Sequence, residues 1–79
     1  MKYEKKLQIT RDLLVKHIGA YPTISKMAQV KTTVLVNYAN DRTKHPQEAE
    51  LDKVYKAVNF FDRGQPLLKK YKDYINSYS

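Results

Sequence analysis

The residues best equipped for molecular recognition lie in one short stretch, QVKTTVLVNYANDR, residues 29 to 42. If this stretch is helical, Thr32, Thr33, Val36, Asn37 and Asn40 share one face, and that face carries no long charged side chain. A major-groove reader presents such a face. Asparagine bonds adenine bidentately, threonine bonds bases or touches the thymine methyl, and valine can touch that methyl. The plainer alternative is a solvated polar face, with Thr32 serving as a helix cap.

Other chemistry is less well provided for. Glu48, Glu50 and Asp52 could act as general acids or bases, but acidic first turns routinely complement the helix dipole. His17 and His45 have no cysteine or carboxylate companions at ligand spacing, so no metal is expected. The chain lacks a glycine-rich phosphate loop and a nucleophile motif, and no cofactor or enzymatic activity is expected of it.

The elements that must position these residues are constrained by size. With 79 residues the chain is read as one folding unit, and at this size only about 60 % of the unfolded surface is buried. It has no cysteine, so stability must come from packing alone. Lysine and arginine outnumber acidic residues 15 to 8, a net charge of +7 that favours DNA, RNA or an anionic surface. Arg11 and Asp12 interrupt any apolar run near the N-terminus. Neither a signal peptide nor a membrane span is therefore expected, and a soluble cytoplasmic protein is the default.

Punctuation at Gly19 with Pro22, near Lys31-Thr32, at NDRTKHP and at DRGQP divides the chain. Tyr3, Leu7, Leu14 and Ile18, with Thr10 and Leu13 beside them, predict an amphipathic helix stopped near a left-handed Gly19. Pro46 suits a first helical position, and Leu51, Val54, Tyr55, Val58 and Phe61 recur at helical spacing behind it. A last helix is predicted over PLLKKYKDYINSYS. Its stripe of Leu67, Leu68, Tyr71, Tyr74, Ile75 and Tyr78 is suited to packing or dimerisation rather than base stacking.

One segment resists this scheme. Thr32 to Val36 holds four β-branched residues and a leucine, which by intrinsic preference alone would form a strand. A strand needs a partner, however, and no other segment reads as one. As a helix, Val34, Leu35 and Tyr38 supply an inner face, so the helical reading is adopted. The fold expected is all-α, with about five helices.

The segment TISKMAQVKTTVLVNYANDRTKHPQEAELDKVYKAVN, residues 23 to 59, resembles the lambda-repressor/Cro-like helix-turn-helix family. Ile24, Met27, Ala28, Val30, Leu35 and Tyr38 stand where that family fixes its two helices together. NYANDRTKHP is similar to its recognition-helix end, basic loop and helix-opening proline, and ELDKVYKAVN resembles the helix that follows. Two positions depart from the pattern. Ser25 replaces a small alanine, and Gln29 replaces the glycine of the turn, so it must either accept a left-handed backbone at some cost or take a different turn.

The chain is expected to divide into a helix-turn-helix DNA-binding domain over residues 1 to 62 and the C-terminal amphipathic helix over 63 to 79, with the resemblance itself covering residues 23 to 59. The resemblance implies base contacts by Lys31, Thr32, Thr33 and Asn37, with Val36 as a methyl contact. Phosphate contacts would fall to Thr23, Lys26, Asn40, Arg42 and Lys44. Leu68, Tyr71, Tyr74, Ile75 and Tyr78 would pack on the domain or on a second copy, since such regulators commonly form homodimers. The expected function is sequence-specific binding of double-stranded DNA by a phage or mobile-element transcriptional regulator. Two alternatives are an accessory protein for packaging, excision or plasmid transfer, and a small phage-type inhibitor of a host protein.

Overall fold

The apolar spacing read above becomes four α-helices and one 3₁₀ turn in a computed structural model that describes residues 2 to 43 and 45 to 64. They run α1 Tyr3–Lys16, a 3₁₀ turn Ile18–Ala20, α2 Tyr21–Ala28, α3 Thr32–Ala39 and α4 Glu48–Asp62. No strand occurs among the described residues, so the β-branched run does fold as helix. The expected fifth helix, with Leu68, Tyr71, Tyr74, Ile75 and Tyr78, lies outside the described residues. No helix among the described residues is long and apolar enough to cross a membrane.

α1 and α4 pack against each other as the frame, α2 lies on α4 and α3, and α3 also touches α1. Leu14, Ile24, Leu35, Leu51, Val54, Ala57 and Val58 are wholly buried, with Tyr38, Ala28 and Met27 nearly so. Burial of this apolar surface supplies most of the fold's stability, at roughly 25 cal/mol per Å². The polar groups drawn inside are satisfied. The Thr10 hydroxyl donates to the Lys6 carbonyl at 2.8 Å, and the Tyr21 hydroxyl to the Leu14 carbonyl at 2.8 Å. Among the described residues no buried side-chain nitrogen or oxygen lacks a partner.

Three local expectations are corrected. Ile18 is 66 % exposed rather than part of the apolar face, because α1 stops at Lys16 and the chain tightens into the 3₁₀ turn, which breaks the helical phase. Gly19 lies inside that turn without a positive φ. The α1 end is closed instead by the His17 N–H on the Leu13 carbonyl at 3.0 Å. Pro46 precedes α4 by two residues, with Gln47 as N-cap. It is buried, and its carbonyl accepts a hydrogen bond from the Tyr3 hydroxyl, which ties the loop to the start of α1.

Candidate nucleic-acid interface

The turn between α2 and α3 sets how α3 is presented. α2 ends at Ala28, and Gln29 takes the left-handed conformation, φ 59 and ψ 41. Its N–H bonds the Ser25 carbonyl, and the Val30 N–H reaches that same carbonyl at 3.1 Å. This is the six-to-one closure of a Schellman-type stop, with Val30 folded back onto the core as its hydrophobic contact. The turn thus has the backbone a glycine would give, adopted by a glutamine. Ser25 is buried, and its hydroxyl donates to the Pro22 carbonyl at 3.0 Å, so the hydroxyl is accommodated.

α3 then starts from Lys31 as N-cap, in extended conformation and without a side-chain cap, so Thr32 is the first helical residue and not the cap. Leu35 and Tyr38 anchor its inner side, with Val34 and Ala39 half-buried beside them. The Tyr38 hydroxyl donates to Glu50 Oε1 at 3.0 Å. Burial first, and then this bond, push the phenol well above its ordinary value, so it remains a donor throughout the physiological range. These two anchors fix the rotation of α3 about its axis. Thr32, Thr33, Val36 and Asn40 face outward and Asn37 sits half-buried at the edge of that face. None of the four polar side chains is engaged in a hydrogen bond among the described residues.

The exit from α3 repeats the device. Asp41 is left-handed, φ 58, and the Arg42 N–H bonds the Asn37 carbonyl at 2.8 Å. The Arg11 guanidinium reaches Asp41 at 3.7 Å from α1. Arg42 emerges exposed from this turn, and Lys31 is exposed at the opposite end of α3. Thr23 and Lys26 are exposed on α2. Lys44 lies outside the described residues.

The sequence reading missed Asp41 and Arg11. Asp41 could have been suspected, since aspartate tolerates the left-handed region better than most residues. The Arg11 contact joins residues far apart in the chain and has no local signature. Charge placement adds a further feature. From Leu13 to Asn40 the chain has no carboxylate, so α2, the turn and α3 carry none. Among the described residues Lys26, Lys31 and Arg42 have no ion-pair partner.

A cleft of about 210 Å³ opens between α1 and the loop after α3, lined by Tyr3, Gln8, Arg11, Tyr38, Asp41 and His45 among others. It is smaller than the roughly 300 Å³ at which sites for drug-sized ligands begin. Among the described residues no three histidine, aspartate or glutamate side chains are grouped to hold a metal. In comparisons with family models, curated proteins and solved structures, nothing matches this chain.

Proposed function

We propose that this protein binds double-stranded DNA in a sequence-dependent way through the outer face of α3. The observation that carries the reading is that face itself: Thr32, Thr33 and Val36 outward and Asn37 half-buried at its edge, all short and unengaged, on a helix locked from behind by Leu35 and Tyr38. Lys26 and Lys31 lie beside it on a stretch without carboxylates, and Arg42 stands exposed just past its far end, after Asp41, which Arg11 pairs; cations so placed suit approach to a phosphate backbone. The resemblance to the lambda-repressor/Cro-like family supports the same reading, and the left-handed turn at Gln29 is compatible with it.

In mechanism the protein acts by occupancy. Lysine and arginine neutralise phosphates and release counterions, with a log-log salt slope of about −0.9 per contact, while the short polar face selects sequence. Bound over a promoter, a protein of this kind blocks polymerase, the role of a phage or mobile-element regulator working in the cytoplasm. The tyrosine stripe of residues 71 to 78 would serve a homodimer reading two half-sites.

The test is selection from a randomised duplex pool at about 150 mM salt, followed by sequencing of the retained DNA. An enriched motif is expected, and an inverted repeat within it would identify the dimer. Retention without enrichment, or no retention, would sink the proposal and turn attention to the inhibitor alternative.

A further inference from the structure

The α3 face has a chemical bias that goes beyond groove binding. Thr32, Val36 and Asn40 fall on one ridge at i, i+4 and i+8, and Thr33 and Asn37 on the ridge beside it. Between them they present three side chains with outward methyl groups and two carboxamides. Val36 is 36 % exposed, the one large apolar side chain of α3 that is open to solvent. A single exposed valine is unremarkable by itself. Its setting is what matters, because Thr32 lies one turn before it on its own ridge, Thr33 one turn before it on the ridge beside, and Asn40 one turn after it.

The absences on this face point the same way. The commonest reader of guanine is a bidentate arginine or lysine, and the reader of cytosine is a carboxylate. No arginine lies on α2, the turn or α3, and no carboxylate lies anywhere from Leu13 to Asn40. Lys31, at the N-cap, is the sole long cation at the entrance to the face. The groups that remain match the A·T pair from both sides: the carboxamide pairs with adenine N6 and N7, and the methyl groups meet the C5-methyl of thymine.

Resting on the DNA-binding reading above, we propose that α3 selects A·T base pairs, with Asn37 bonding adenine while Thr33 and Val36 pack against thymine methyl groups. Asn37 is the base-specifying residue, and Val36 with Thr33 forms a methyl sensor. Specificity at these positions depends on a group, the thymine methyl, that contributes nothing to Watson–Crick pairing.

Deoxyuridine substitution tests this directly. The enriched duplex from the selection above is resynthesised with deoxyuridine replacing thymidine at each core position in turn, and affinities are compared at fixed salt. A·T pairs are expected to dominate the core. Each contacted thymine should lose about fourfold in affinity on losing its methyl group. Val36→Ala should abolish that sensitivity at one position, and Asn37→Ala should weaken the preferred site about tenfold or more while tolerating other bases there. Both substitutions lie on the outer face, and an unchanged helical circular-dichroism spectrum would show that they fold.

The outcomes separate the two readings. A core of G·C pairs, or indifference to every deoxyuridine, would leave sequence-specific DNA binding standing and overturn the A·T assignment. Absence of any enriched motif would overturn the DNA reading and this inference with it.

Discussion

On the side of the molecule built from α1 and α4, charge is spent holding the fold together. Lys6 of α1 pairs with Asp52 of α4 and lies 5.6 Å over the Tyr55 ring, while Lys16 and His17 converge on Asp62 at 3.0 and 2.7 Å. His17 also meets Phe61 edge-on at 5.1 Å, which closes the end of the α1–α4 pair. The side built from α2 and α3 has no carboxylate of its own, and its cations extend into solvent. Lys6 and Lys16 are therefore structural, whereas Lys26 and Lys31 are available. Net charge alone does not reveal this, because it counts both sets together.

The largest effect expected from any single change falls where the two sides meet. Leu35 is wholly buried beneath the outer face of α3, between α3 and the rest of the core. Leu35→Ala should cost about 2–5 kcal/mol of stability by removing buried apolar volume and leaving a cavity. Urea denaturation would measure it. A loss below 1 kcal/mol would mean that α3 is not anchored as described, and the orientation of the recognition face would have to be reconsidered.

A smaller effect separates the available cations from the structural ones. Arg42→Ala should lower the log-log salt slope of DNA binding by about 0.9 and shift stability by no more than about 0.5 kcal/mol. Lys16→Ala, which removes a partner of Asp62, should leave the salt slope unchanged. Equal slope changes in the two variants would show that position around the fold does not decide which cations meet phosphate.

The structural pairs carry a signature in pH. Asp52 is held below its ordinary 3.8 chiefly by the hydrogen bond from Lys6, and Asp62 by its bonds to His17 and then Lys16. A carboxylate with a depressed folded-state pKa stabilises the protein above its unfolded value, and the benefit is lost as pH falls through the folded value. Stability should therefore hold down to about pH 4 and decline below it. Lys6 is raised by the same bond to Asp52, so its share is present below 10.5 and lost as pH rises past that value. Replacing both carboxylates, Asp52→Asn with Asp62→Asn, should flatten the acid limb. An acid limb identical to that of the parent protein would assign acid unfolding to other groups.

Much of this arrangement was legible in the sequence, for a definite reason. α3 could be read as helix despite its β-branched run because Leu35 and Tyr38 lie three apart and no second strand was on offer. The outer face followed from the same periodicity. Periodicity fails where the phase changes or where the buried arc is wide. Ile18 was misplaced because α1 ends two residues earlier, and Phe60 was overlooked although it is 8 % exposed and the adjacent Phe61 is only half-buried. Ion pairs such as Lys16 with Asp62 join residues 46 apart and have no local pattern at all.

The smallest effect expected concerns the two left-handed turns that flank α3. Gln29 and Asp41 have nearly the same φ, 59 and 58, but reach it under different constraints. A β-carbon in the left-handed region costs roughly 1–2 kcal/mol for an ordinary residue, and glutamine has no local bond that relieves it. Aspartate tolerates the region better, and Asp41 is in addition held by Arg11. Glycine removes the strain but adds about 0.4–1 kcal/mol of unfolded-state entropy. Gln29→Gly should thus stabilise the protein by about 0.5 kcal/mol, whereas Asp41→Gly should be neutral or destabilising because it also removes the carboxylate. Because Gln29 is exposed and its role here is that of its backbone, Gln29→Gly should leave DNA affinity unchanged. If it instead weakened binding to a selected site but not to random duplex, the glutamine side chain would itself be reading DNA, and the recognition surface would extend back from α3 into the turn.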